Sequence, residues 1–138
     1  MNNRWAVLFA IALLVGPAVA QEVPSQSERF YQERFCAGLA VSIRLGQVQQ
    51  RADCVSQTHA VEVEWHDRWK DAIGQALANS AASGRKPGIV LVCRSDQALC
   101  LAASLGLRQT LAYHHAGATL WDCLPIHRTL AECRRWEI

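Results

Sequence analysis

Lysine is nearly absent from this 138-residue chain: Lys70 and Lys86 stand alone, and the rest of its 14 basic residues are arginine. Twelve acids oppose them, and setting aside Arg4 with the leader described below leaves 13 basic residues (14 − 1), a net charge of about +1. That balance gives no electrostatic case for tight nucleic-acid binding. Arginine suits bidentate phosphate contacts, but its abundance alone is a weak clue. No C-x-x-C pair or Cys/His cluster occurs, and the histidines lack i, i+4 spacing, which removes the usual zinc frames. A nucleophile elbow and a glycine-rich phosphate loop are also missing. No second apolar run follows the first, and there are no repeats, low-complexity tracts or internal linkers.

What is present begins with "MNNRWAVLFAIALLVGPAVA", a charged start at Arg4, an apolar run from Trp5 to Val15, and small residues at Ala18 and Ala20. This predicts a signal peptide over 1–20, cleaved before Gln21, with a helical anchor as the alternative. The run is short for a membrane span, so no span is expected after cleavage. Gln21, not a cysteine, stands directly after the cleavage site, which argues against a lipoprotein. Residues 21–27 read as a flexible, polar mature N-terminus, and 28–138 as a single domain with a real core. All six cysteines survive cleavage. In an exported chain they read as disulfides, with fifteen pairings open. One pairing is proposed: Cys36, at the end of the first helix, with Cys54, since a helix packed on the following strands would bring them within bonding reach.

The pattern along the chain is α+β with one crossover. "SERFYQERFCAGL" has helical spacing and stops near Gly38. Val41, Ile43 and Leu45 alternate before Gly46-Gln47, predicting a hairpin that returns over Val48–Val55. "HAVEVEW" is a third strand, with His59, Val61, Val63 and Trp65 on one face and Ala60, Glu62 and Glu64 on the other. A helix is predicted from Asp67, as cap, to about Ala82. Trp69, Ala72, Ile73, Ala76 and Leu77 form its apolar stripe, and Arg68, Asp71, Gln75 and Asn79 its polar face. Gly74 is read as allowing that helix to pack closely on the sheet. "IVLVC" reads as a buried strand parallel to the third. A helix capped by Ser95 and bent near Gly106 follows, then a strand in "ATLWDCLPI" and a terminal helix or tail in "HRTLAECRRWEI".

Glu62 and Glu64 share a strand face about 6.6 Å apart, and the preceding strand can bring Asp53 beside them. Three oxygen ligands on rigid strands suit Mg²⁺ or Mn²⁺. The competing reading is the polar side of a half-exposed strand. His59 should point away from the glutamates, whereas His66 lies beyond the strand and could approach them.

Asp53 on a second strand and "EVE" on a third resemble the PD-(D/E)XK, restriction-endonuclease-like superfamily. The resemblance implies an α-β-β-β-α-β core with a mixed sheet, here stabilised by disulfides, and metal-dependent cleavage of nucleic acid. "RADC", "AVEVEW", "WKDAIGQAL" and "GIVLV", between Phe35 and Cys93, also resemble a group of uncharacterised exported bacterial proteins. Two departures stand out. Ala52 replaces the common proline, and Glu64 occupies the position of the catalytic lysine. Lys70 is the nearby substitute, and Gln75 resembles a helix glutamine that several branches use to support the site.

These readings lead to a periplasmic or secreted nuclease, or a degenerate relative. Asp53, Glu62 and Glu64 would hold Mg²⁺ or Mn²⁺, Lys70 and Gln75 would assist, and nucleic-acid binding would be weak. The alternative is a non-catalytic exported binding protein that retains the fold, as an envelope or DNA-transfer accessory.

Overall fold

The computed structural model describes residues 26–45 and 50–138. The expected signal peptide, most of the polar N-terminus and the Gly46-Gln47 turn with Val48 lie outside the described residues. Among the described residues, three helices, α1 (Glu28–Phe35), α2 (Trp69–Ser83) and α3 (Gln97–Tyr113), accompany six strands. These are β1 (Ala40–Leu45), β2 (Gln50–Val55), β3 (His59–Trp65), β4 (Lys86–Val92), β5 (Thr119–Cys123) and β6 (Arg134–Glu137). The strands form one sheet in sequence order. β1, β2 and β3 run antiparallel in turn, β3, β4 and β5 are parallel, and β6 returns antiparallel. The protein is thus α+β with a mixed sheet.

The alternation expected for β3 decides the layering. Val61, Val63 and Trp65 join Val90 and Val92 under α1, where Tyr31 and Phe35 close a core. Ile89, Leu91 and Leu120 face the other way, against Ala72 and Ala76 of α2 and Leu107 and Leu111 of α3. β4 is therefore apolar on both faces, as a covered parallel strand must be. Ser27 caps α1 by accepting the Phe30 amide. Gly84, at φ +66°, ends α2 in the left-handed region that favours glycine.

Three disulfides use all six cysteines: Cys36–Cys54, Cys93–Cys100 and Cys123–Cys133. The proposed Cys36–Cys54 pair has its Cα atoms 5.7 Å apart, tying α1 to β2. Such bonding fits an extracellular or otherwise oxidising setting. Among the described residues, no helix is long and apolar enough to cross a membrane.

Several local expectations need correction. Asp67 does not cap α2: a 3₁₀ turn, His66–Arg68, intervenes, and the Asp67 carboxylate is held by both Arg94 nitrogens at 3.1 and 2.7 Å. The cap of α3 is Asp96, not Ser95, accepting the Leu99 amide at 3.0 Å. α3 is one continuous helix, and Gly106 serves packing, since a Cβ there would meet the Trp69 ring at 3.1 Å. Gly74 faces outward with nothing near it, so it is not the close-packing position. The C-terminal segment is neither helix nor tail. A 3₁₀ turn at Leu130–Glu132 leads into the edge strand β6.

Candidate metal centre

β2 leaves its regular ladder with β3 just where the acids lie. The paired residues are Cys54↔Val61 and Val55↔Ala60. Ala52 and Val55, three positions apart, belong to one small cluster with Ala60 and Ala82, so strict alternation fails between them. At this irregularity the Asp53 carboxylate takes the next amide of β3 itself, accepting Val63 N–H at 2.8 Å. Its other oxygen accepts from Gln32 of α1. Asp53 also shares a hydrogen bond with Glu62.

Glu62 and Glu64 are both buried, at 5% and 2% exposure. Glu62 accepts from the Asn79 amide at 2.9 Å, and Asn79 in turn accepts from Gln50 at 2.8 Å. Glu64 accepts the Trp65 amide at 2.9 Å and lies 3.5 Å from the Arg68 guanidinium. Glu28, at the start of α1, hydrogen-bonds Glu64 and sits 3.7 Å from Arg68. Of these four carboxylates from three elements, Arg68 stands beside two, Glu28 and Glu64.

Their titration follows from that crowding. Burial pushes Glu62 up to about 9, and the charges of Asp53 and Glu64 push the same way against the Asn79 hydrogen bond. Burial lifts Glu64 to about 7, opposed by the Trp65 amide and Arg68 and reinforced by Glu28. Burial likewise lifts Asp53 to about 6, with the Val63 amide opposing and Glu28 adding to the rise. At neutral pH Glu62 therefore keeps a proton and donates it to Asp53. A buried carboxylate set with too few positive partners is costly, and a hard cation would offset that cost. The donor chemistry fits Mg²⁺ or Mn²⁺: oxygens only, on strands whose positions are fixed by packing.

Asp53 and Glu64 both lie within electrostatic reach of Glu62, but the three acids are not among the described residues whose ligand atoms all lie within 4.8 Å of one another. Lys70 does not join them. It is exposed, with its ammonium 5.5 Å from the centre of the Trp69 ring, and makes no ion pair with the acids. Gln75 is half-buried on α2, and no hydrogen bond ties it to the acids. Asn79, assigned to the polar face, is instead fully buried. It lies at i+7 from Ala72 and i+3 from Ala76, on the inward stripe, and that spacing was a usable signal. Glu28 and Gln32 were also legible in principle, because with Tyr31 and Phe35 they make an i, i+3, i+4, i+7 face. His66 is buried and accepts the Arg94 amide at 3.3 Å, while His59 bonds Thr119 at 2.9 Å. Cys123, His127 and Cys133 bring ligand atoms within 4.8 Å of one another, but the two sulfurs are joined as a disulfide.

Comparison of the chain with models of protein families, with curated proteins and with solved structures finds no match. The reading of the centre rests on its own geometry.

Proposed function

We propose that the chain is an exported, divalent-cation-dependent phosphodiester hydrolase of the restriction-endonuclease-like kind. The observation that carries this reading is the chain of neighbouring carboxylates, Asp53 beside Glu62, Glu62 coupled to Glu64 and Glu64 beside Glu28, with Glu62 and Glu64 buried. The order α1-β1-β2-β3-α2-β4, with the acids on β2 and β3, supports it further. Export is supported by the three disulfides, and the signal peptide expected from the sequence agrees with it.

Asp53, Glu62 and Glu64 would hold Mg²⁺ or Mn²⁺, which when bound supplies Lewis-acid charge to a phosphate oxygen and acidifies a water. Asn79 and the Val63 and Trp65 amides hold the carboxylates in place. Arg68 stands beside Glu64 and Glu28, supplying fixed positive charge next to Glu64, the residue at the position where the superfamily pattern has lysine. A guanidinium cannot give up its proton, so Arg68 stabilises anionic oxygen but cannot act as a base. Glu28, whose side chain is 38% exposed, opens this side of the carboxylate set to solvent.

A second reading, a non-catalytic exported binding protein, is favoured by one observation: no lysine reaches the acids, and Lys70 lies outside on Trp69. Incubating oxidised protein with labelled oligonucleotides and Mg²⁺ or Mn²⁺ separates the two. Hydrolysis that is lost in Asp53→Asn and in chelator supports the first. Metal-dependent thermal stabilisation without hydrolysis supports the second, and hydrolysis undiminished by chelator would overturn the proposed chemistry.

A further inference from the structure

A cavity of about 310 Å³ lies at the carboxyl ends of the parallel strands β3, β4 and β5, and none of the acids of the metal centre lines it. That volume falls at the lower end of the roughly 300–1,000 Å³ usual for small-ligand sites. The crevice outside the carboxyl ends of parallel strands is also where open sheets bind ligands. Its walls are mainly apolar: Leu91, Leu101 and Leu124, with the Cys93–Cys100 and Cys123–Cys133 bridges. Two imidazoles interrupt them. His66 is 4% exposed, and its Nδ1 accepts the Arg94 amide at 3.3 Å. Asp67, 3.9 Å from the same Nδ1, is already held by the Arg94 guanidinium. His127 accepts the Leu124 amide on Nδ1 at 3.0 Å. A neutral imidazole carries one N–H, so in each ring that proton sits on Nε2. Among the described residues, no hydrogen bond uses either Nε2, and the only fully enclosed side-chain nitrogen or oxygen without a partner is Arg108 Nε. The His66 Nε2 is therefore open to whatever enters the cavity that its ring lines.

We infer that this cavity binds a small, uncharged, mainly apolar molecule bearing a carbonyl acceptor, with His66 as the principal donor and His127 as the second. The absence of ligand charge follows from the rest of the lining. Asp122 accepts from Ser104 Oγ and Trp136 Nε1, both at 2.7 Å, and Glu132 accepts the Arg128 and Thr129 amides. Against these two carboxylates the lining sets one guanidinium, Arg134, stacked 4.1 Å over the Trp136 ring. A ligand carboxylate or phosphate would meet that excess of negative charge. An ammonium would leave the imidazole N–H groups unmatched, and a buried donor without an acceptor is costly. A ketone, ester or amide carbonyl satisfies the donors and adds no charge. The site needs no cation, so it stands apart from the proposed function.

The experiment titrates oxidised protein, in chelator, with acetophenone, ethylbenzene, benzoate and benzylamine, read in ¹H–¹⁵N spectra of ¹⁵N-labelled histidine rings. The four compounds share one apolar body and differ in acceptor and charge. Acetophenone should bind about tenfold more tightly than the other three, the worth of one well-placed hydrogen bond. It should move the His66 Nε2 resonance most, with the ring keeping its Nε2–H tautomer. His66→Phe keeps a ring but removes the donor, and should bring acetophenone down to the affinity of ethylbenzene. Leu101→Trp, at a 54% exposed position on the cavity wall, should abolish binding of all four by filling the space. If His66→Phe does not fold, His127→Phe, which should weaken acetophenone alone, and Leu101→Trp carry the test. Equal affinity for acetophenone and ethylbenzene would overturn the donor assignment. Tighter binding of benzoate or benzylamine would overturn the ligand class. Binding unchanged in Leu101→Trp, or no histidine shift with any compound at millimolar concentration, would overturn the site.

Discussion

Replacing Glu62 by glutamine isolates the cost of holding the acid cluster together. Glu62 rises from an ordinary 4.5 to about 9 in the folded protein, chiefly through burial and then through the charges of Asp53 and Glu64. Folding at pH 7 therefore takes up a proton that the unfolded chain has released. Between 4.5 and 7 that uptake costs at most about 3 kcal/mol, at about 1.4 kcal/mol per pH unit. Sharing of the proton with Asp53 brings the expected effect to roughly 2–3 kcal/mol. The sign follows from the raised value: stability from this group is complete below pH 4.5 and drains away as pH climbs toward 9. Glutamine mimics the protonated form, offering a carbonyl to Asn79 and an N–H to Asp53. Glu62→Gln should thus match the parent near pH 4, exceed it by roughly 2–3 kcal/mol at pH 7, and lead by more at pH 9. Urea unfolding in chelator at the three pH values measures this. A gap that stays within about 0.5 kcal/mol throughout would show that the acids form only a solvated strand face.

Other outcomes follow from the same contacts. Asn79→Ala should destabilise by about 1–3 kcal/mol in urea unfolding, because Glu62 and Gln50 both lose their buried partner. Gly106→Ala should lower the melting temperature, since its Cβ would press on the Trp69 ring at 3.1 Å. Thiol titration under denaturing, non-reducing conditions should find no reactive cysteine. Loss of the Cys36–Cys54 bridge by double serine substitution should cost about 3 kcal/mol, for a separation of 18 residues.

How much of this was legible in sequence depends on how local each signal is. The strict alternation of "HAVEVEW" set both faces of β3 correctly, and the apolar run 89–92, bounded by Gly88 and Arg94, reads as a strand covered on both sides. Cys36 and Cys54 were readable as a pair because a helix end and a neighbouring strand already brought them close. Asp67 was misjudged because its partner, Arg94, comes 27 residues later and outcompetes a capping role. β6 was missed for a similar reason. "RRWE" is charged and largely exposed, and only pairing with β5 and the Cys123–Cys133 bridge make it a strand. In the centre itself, Asp53, Glu62 and Glu64 were found by strand spacing. Asn79 sits on the polar face that composition predicts, and Glu28 and Gln32 carry no motif, yet all three fall on their helices' inward faces. Arg68 lies where chain direction changes from β3 to α2, and only the folded chain turns its guanidinium back toward Glu64.

The central claim is that the carboxylates form a cation site, and calorimetric titration of Mg²⁺ and Mn²⁺ into oxidised, chelator-stripped protein tests it most directly. The ligands carry raised values of about 6, 9 and 7 for Asp53, Glu62 and Glu64, so binding must displace protons. The account predicts one cation per chain, heats that vary with buffer ionisation as protons are released, affinity that strengthens from pH 6 to pH 8, and loss of binding in Asp53→Asn. Absence of binding heat and of thermal stabilisation at millimolar metal across that pH range would contradict it.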